Sequence, residues 1–341
     1  MSRCIELAQK GAGKVAPNPM VGAILVHENK IIGEGYHQQY GAAHAEVNCI
    51  NHVNEKDHSL IQESTLYISL EPCAHFGKTP PCSDLIIHHK IKKVVVGCRD
   101  PFISVNGKGI EKLNNAGVTV IENILCNECI ALNKRFFTFH QQQRPYIILK
   151  WAQTSNGFIG NESAHRLHIS SHQTNCMVHQ WRSEEAAILI GTNTALKDNP
   201  QLTNRLYKGN SPLRLLLDLQ LRLPKELILF NDMLPLVVFN FKKENLEGVV
   251  QYKKLSPEKP LLPQIMAIAH QMNIQSILVE GGAKLLQSFV DEGLWDEARV
   301  ITNNQLKIET GISAPLLKNA IEAERFWVFT DRVIYYHKIK S

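Results

Sequence analysis

A chain of 341 residues exceeds the usual size of one domain, so two domains are expected. With 44% hydrophobic and 20% charged residues, and no apolar run near the roughly 18 residues of a membrane span, the composition is that of an ordinary globular protein. The net charge of +5 comes without a block of Lys and Arg interleaved with aromatics, which argues against a nucleic-acid partner. Eight cysteines are too few for a disulfide scaffold. The start of the chain lacks the pattern of a signal peptide, and a cytoplasmic setting is expected.

In chain order, a helix over 2–11 leads through Pro17-Asn18-Pro19 into an apolar strand, Val21 to Val26. His27-Glu28-Asn29 turns it into a second run around Ile31-Ile32, which reads as a hairpin. A helix suits 44–53, a buried strand Thr65 to Leu70, a helix Cys82 to His89 and a strand Val94 to Gly97. A helix over 107–116 and a strand over 118–121 complete an α/β layered half. The polar stretch His140 to Pro145 reads as a linker, which sets domains at 1–143 and 144–341. Beyond it, strands are expected at 146–150, 187–190, 213–217, 236–239, 277–279, 327–329 and 333–336, with helices over 171–183, 261–272 and 283–292.

The chemistry of the first half lies in His44-Ala45-Glu46 at a helix start, followed by Glu71-Pro72-Cys73 and Pro80-Pro81-Cys82, with eight residues between Cys73 and Cys82. One imidazole and two thiolates make a three-ligand zinc site with a fourth position left for water, whose pKa the metal lowers toward neutrality. Deamination also needs a proton carrier that is not a ligand, and a carboxylate two residues after the histidine suits that task. We therefore read His44, Cys73 and Cys82 as metal ligands and Glu46 as the catalytic residue. Any one of these residues alone is more simply a buried thiol or a core histidine. Cys126 and Cys129 are a lone pair without further ligands and read as incidental thiols of a helix. His88-His89 reads as a solvent-facing pair.

The segments Pro17 to Gly22, Gly35-Tyr36-His37, His44-Ala45-Glu46 and Glu71 to Cys82 together resemble the pyrimidine deaminase of riboflavin biosynthesis. The eight-residue gap between the cysteines separates that family from tRNA and cytidine deaminases. The resemblance implies a cytidine-deaminase-like three-layer α/β/α domain. It also implies as substrate a free pyrimidine ribonucleotide, 2,5-diamino-6-ribosylamino-4(3H)-pyrimidinone 5′-phosphate, contacted by Asn18, His37, His75 and Lys78. Where the family often has Asp-Pro-Asn-Pro, this chain has Asp100-Pro101-Phe102-Ile103.

In the second half, Ser276 to Val279 is a strand that ends in Glu280-Gly281-Gly282 before a helix, a turn in which backbone N–H groups can approach a phosphate. Gly-x-Gly-x-x-Gly is absent, so a Rossmann cofactor site is not supported. A strand ending at Ile190 runs into a polar loop, Gly191 to Arg205. Together these segments resemble the reductase half of the same bifunctional riboflavin enzyme, which implies a dihydrofolate-reductase-like α/β fold and NADPH. The resemblance places His168, Thr194, Asp198, Gly282, Ala283, Lys284, Leu285, Leu286, Gln287 and Ser288 against the cofactor. It places Arg166, Arg182, Leu202, Arg205 and Glu280 against the substrate. Leu219 and the Arg166-Leu167-His168 segment depart from the family pattern.

Two other readings compete with the bifunctional enzyme. A zinc deaminase of nucleic-acid bases, its second half a binding module, calls for a basic, aromatic-rich second half. A degenerate scaffold calls for the loss of a ligand or of Glu46, and none is lost. No membrane partner is expected, and homo-oligomerisation stays open.

Overall fold

The computed structural model describes residues 1–76, 80–161 and 167–339. Lys78 and Arg166 therefore lie outside the described residues. The chain divides into two compact units, Met1–Gln143 and Arg144–Ser341. Among the described residues no helix is long and apolar enough to cross a membrane.

The first unit runs α1 (Ser2–Gln9), β1 (Gly22–His27), β2 (Lys30–Tyr36), α2 (Ala45–Asn51), a 3-10 helix (Glu55–Glu63) and β3 (Thr65–Leu70). It continues with α3 (Cys82–His88), β4 (Lys93–Cys98), α4 (Lys108–Asn115), β5 (Thr119–Ile121), α5 (Cys126–Leu132) and α6 (Lys134–Gln142). Its sheet has the order β2-β1-β3-β4-β5, with β1 antiparallel to both neighbours and β3, β4 and β5 parallel. Left-handed Glu28 and Asn29 make the hairpin turn. Alternate strand residues serve opposite faces. Ala23, Leu25, Leu66, Ile68, Val94 and Val96 pack with Cys49 of α2, Ile86 of α3 and Leu113 of α4. On the other face Ile24 joins Cys4 and Leu7 of α1, and at the strand ends Leu70 and Cys98 join Cys129 of α5 and Phe136 and Phe137 of α6. The result is three layers, α/β/α.

The second unit runs β6 (Tyr146–Thr154), β7 (Phe158–Gly160), α7 (His172–Glu184), β8 (Ala187–Gly191), α8 (Thr192–Asp198), β9 (Leu213–Leu217), α9 (Ile228–Asn231), β10 (Leu236–Asn240), β11 (Asn245–Glu247) and β12 (Val250–Lys254). Then come α10 (Leu261–Gln271), β13 (Ser276–Val279), α11 (Ala283–Asp291), β14 (Glu297–Asn303), β15 (Ile312–Ser313), β16 (Ala320–Val328) and β17 (Asp331–Lys338). Its main sheet is ordered β11-β12-β10-β9-β8-β13-β6-β14-β17-β16 and is parallel from β12 through β14. Antiparallel β11 lies at one edge and the β17-β16 hairpin at the other. Residues of α10 and α11 cover one face, as in the packing of Ile265 and Phe289 against Leu149, Leu189 and Val279.

Three expectations are corrected. The linker is shorter, because Lys134 to Gln142 stays helical and ends at left-handed Gln143. The polar segment after Ile190 is no loop at its start: Thr192 to Asp198 forms α8 directly off β8. The strand β14 was not anticipated, since Glu297 and Arg299 interrupt its apolar run. Both are buried, and Arg299 Nε donates to Glu297 Oε1 at 2.6 Å.

Candidate active sites

In the first unit, His44 is the N-cap of α2 and Cys82 opens α3, so two helix starts converge on the loop after β3 that carries Cys73. Asn48 Nδ2 donates to the carbonyls of Tyr36 (2.8 Å) and Ala43 (3.3 Å), which fixes the approach to His44. Pro81 is extended, and the Cys82 N–H donates to Cys73 Sγ at 3.3 Å. His44 Nδ1 stands 3.3 Å from Cys82 Sγ and 3.6 Å from Cys73 Sγ. These three donors all lie within 4.8 Å of one another, and among the described residues theirs is the one such group.

Donors of a tetrahedral zinc stand about 3.6–3.8 Å apart, given Zn–N near 2.0 Å and Zn–S near 2.3 Å. The His44–Cys73 spacing of 3.6 Å agrees, the His44–Cys82 spacing of 3.3 Å is somewhat tighter, and one imidazole with two thiols is a donor set that zinc takes, so the residues fit the ion. The electrostatics agree too. Bonding from Cys82 first, then His44 and the Cys82 N–H, draws the Cys73 thiol down to about 4, against burial. The Cys82 thiol is pushed up by the same bond and by burial.

Glu46 lies in the first turn of α2 and is 3% exposed. Burial raises its carboxyl above the ordinary range, and the Cys73 charge adds to the effect. His37 is buried, its Nδ1 is 3.0 Å from Ala43 O, and its Nε2 is 3.2 Å from Asn18 Nδ2. Since Ala43 O can only accept, Nδ1 carries the proton and Nε2 accepts from Asn18. Burial holds this ring neutral. His75 is exposed and meets the Phe102 ring edge-on at 6.1 Å. Phe102, the departure noted above, also packs on His140 at 5.0 Å.

A residue not singled out from sequence holds this site together. The buried Glu71 carboxylate accepts from the N–H groups of Asp100 (3.2 Å), Gly107 (2.9 Å) and Gly109 (3.0 Å), tying the end of β3 to the start of α4. A helix-start signal was available at Gly107-Lys108, but the distant acid that caps it was not.

In the second unit a cleft of about 860 Å³ opens at the C-terminal ends of β6, β8, β9 and β13. Arg182, Leu202, Glu280, His168, Thr194, Asp198, Gly282, Ala283, Lys284, Leu285, Leu286 and Ser288 line it, whereas Arg205 and Gln287 do not. Arg205 Nη1 donates instead to Gln201 Oε1 (2.8 Å) and Thr203 Oγ1 (2.9 Å). Gln287 clamps the backbone of Leu316, accepting from its N–H at 2.9 Å, and donates to Asp291. Leu202 has a left-handed backbone (φ 59°) and packs in the core below the cleft with Ile190 and Leu216.

Arg182 and Glu280 form a bidentate pair, both bonds 2.8 Å, and Lys150 Nζ is 3.5 Å from Glu280 Oε2. Burial alone would raise the Glu280 carboxyl; Arg182 and Lys150 overcome it and bring it to about 2. Lys150 is a second residue that the sequence reading missed, hidden inside an apolar strand pattern. Its strand runs parallel beside β13, which brings it to Glu280.

Close packing against β8 and α8 requires both glycines of the turn into α11. A Cβ on Gly281 would stand 2.8 Å from Ile190 Cβ, and Gly282 has φ +75° with Thr194 Oγ1 3.3 Å from where its Cβ would be. Among the described residues no side chain caps α11, and Gly282 to Leu286 line the cleft, so a phosphate of a nucleotide cofactor would fit at this helix start.

Residues 1–98 match the cytidine and deoxycytidylate deaminase zinc-binding region, and residues 145–304 match the RibD C-terminal domain. The riboflavin biosynthesis protein RibD of Aquifex aeolicus is 40% identical over 303 residues, 87% of this chain and 83% of that protein. RibD of Escherichia coli is 32% identical over 314 residues, 87% and 84% of the two chains. Among solved structures, a diaminohydroxyphosphoribosylaminopyrimidine deaminase/5-amino-6-(5-phosphoribosylamino)uracil reductase from Thermotoga maritima superposes with a TM-score of 0.88 at 35% identity, covering 99% of this chain and 97% of the other. Acinetobacter baumannii RibD superposes at 0.89 with 28% identity, covering 99% and 98%. The chain belongs to the RibD family of bifunctional deaminase–reductases of riboflavin biosynthesis, enzymes that use zinc and NADPH.

Proposed function

We propose that the first unit hydrolyses the 2-amino group from 2,5-diamino-6-ribosylamino-4(3H)-pyrimidinone 5′-phosphate. The second unit then reduces the ribosyl group with NADPH, giving 5-amino-6-ribitylaminouracil 5′-phosphate. The observation that carries the first step is the group His44, Cys73 and Cys82 with buried Glu46 beside it. The family's two activities support the pairing with a reductase.

A bound zinc ion supplies a Lewis acid and a water of lowered pKa. The residues do the rest. His44, Cys73 and Cys82 hold the ion, and Glu46 moves the proton from the attacking water to the departing ammonia. Burial suits Glu46 to both tasks, because a carboxyl raised toward neutrality accepts and returns a proton with little cost. Asn18 gives its N–H to His37 and so presents Oδ1, an acceptor for an amino or ring N–H of the pyrimidine.

In the second unit the N–H groups at the start of α11, with Lys284, hold cofactor phosphates, while Thr194 and Asp198 stand on the facing helix. NADPH supplies the hydride. The chain orients the two reactants and excludes water. The Arg182–Glu280–Lys150 group fixes the wall on the substrate side. The mild charge and the eight-residue cysteine spacer favour a free nucleotide over a base in a nucleic acid. All eight cysteines are free, in keeping with the cytoplasm.

Metal analysis tests the site assignment. The purified chain should hold about one zinc, and Cys82→Ser should lose it together with ammonia release. An active protein without metal refutes the assignment.

A further inference from the structure

We propose that Asn133, far from the metal group in sequence, is a positioning residue for deamination, acting through the loop that carries Asn18. Asn133 stands at the junction of α5 and α6 and is 4% exposed. Its backbone is already used: its N–H donates to Ile130 O and its carbonyl accepts from Phe137, both at 3.0 Å. Its side-chain amide is therefore free to serve another segment. It takes both polar backbone atoms of one residue, Oδ1 accepting from Met20 N and Nδ2 donating to Met20 O, each at 2.8 Å.

That clamp matters because it fixes the backbone two residues after Asn18, where the chain enters β1. Pro17 and Pro19 have no N–H to give. Between them, the Asn18 N–H reaches back to Val15 O at 2.9 Å. Asn18 is thus fixed on one side by Val15 and, one proline later, by Asn133. From that position its side chain meets His37 Nε2 at 3.2 Å, and the His37 ring lies 5.4 Å from the His44 ring. A buried amide with both ends on one backbone residue sets both distance and orientation, which a single bond would not. Packing of α6 against the sheet through Phe136 and Phe137 holds the anchor in place.

The inference rests on the deaminase reading, which the parent enzyme's ammonia release tests separately. The experiment compares Asn133→Ala, Asn133→Asp and Cys129→Ala, the last loosening the same helix without touching Met20. Asn133→Ala should retain zinc and NADPH-dependent reduction of the deaminated intermediate. Its KM for the diaminopyrimidinone should rise about ten- to hundredfold with kcat changed far less. Asn133→Asp keeps the acceptor for Met20 N and loses the donor, so its KM should fall between; it also decides the matter if the alanine variant does not fold. Cys129→Ala should lower the melting temperature without raising KM. A parental KM in Asn133→Ala, or in Asn133→Asp should the alanine variant not fold, overturns the proposal. So does a KM that rises equally in Cys129→Ala.

Discussion

Nδ2 of Asn18 and Nε2 of His37 lie 3.2 Å apart, and the bond between them has a fixed direction. The carbonyl of Ala43 takes the Nδ1 proton of His37, so Nε2 accepts and Asn18 must donate. The amide of Asn18 is thereby locked with its oxygen outward. Asn18→Ala should cut kcat/KM for deamination about ten- to hundredfold, corresponding to the ~1–3 kcal/mol of an unsatisfied buried polar group. Asn18→Asp has no N–H to offer a neutral ring and should fare no better. Steady-state ammonia release measures both, and an Asp variant with parental kinetics would contradict the polarity assigned here.

Glu46→Gln should keep its zinc, because the residue is not a ligand, and should lose deamination by about 10²- to 10⁴-fold, the usual worth of a general acid–base. Reduction of separately supplied deaminated substrate should be untouched, since the second unit has its own cleft. Equal loss of both activities would sink the division of labour.

The Arg182–Glu280 pair makes a prediction about acid stability. The folded Glu280 carboxyl sits at about 2, below its ordinary 4.5. A depressed carboxyl contributes stability that is fully present above pH 4.5 and is lost as pH falls toward 2. The contribution is on the order of 3 kcal/mol. Glu280→Gln leaves a buried guanidinium without its partner and should cost about 3–5 kcal/mol at neutral pH. Denaturant midpoints measured between pH 5 and 2 should fall less steeply in the variant. Parallel curves would show that Glu280 does not carry the dependence.

Gln287 gives a contrasting prediction. It lies in the segment that resemblance places against the cofactor, yet its side chain holds the Leu316 backbone. Gln287→Ala should leave the dissociation constant for NADPH within about twofold, and should lower the melting temperature by the loss of a hydrogen bond worth ~1 kcal/mol. A tenfold weaker cofactor affinity would return Gln287 to the cleft.

What could be read from residues alone followed from short-range rules. The β1-β2 hairpin was legible because Glu28-Asn29 suits a left-handed turn. The metal group was legible because coordination chemistry restricts which side chains can share a site. Thr65 to Leu70 was legible as a buried strand by its apolar run. The missed features depend on partners distant in sequence. Glu71 caps a helix that starts at Lys108, Lys150 meets an acid 130 residues away, and Asn133 clamps a residue 113 positions before it. Helix α8 was hidden for a different reason: Thr192, Asn193 and Thr194 are poor helix formers, and the fold places them in a helix all the same. Arg205 and Gln287, proposed as substrate and cofactor contacts, are not among the residues that line the cleft.

The most direct test supplies the zinc-loaded parent protein with 2,5-diamino-6-ribosylamino-4(3H)-pyrimidinone 5′-phosphate and NADPH, following ammonia and NADPH oxidation together. The account predicts ammonia first and oxidation after a lag, with one NADPH consumed per ammonia released, and oxidation abolished in Glu46→Gln until deaminated substrate is added. Ammonia without oxidation, or oxidation without prior ammonia release, would contradict it.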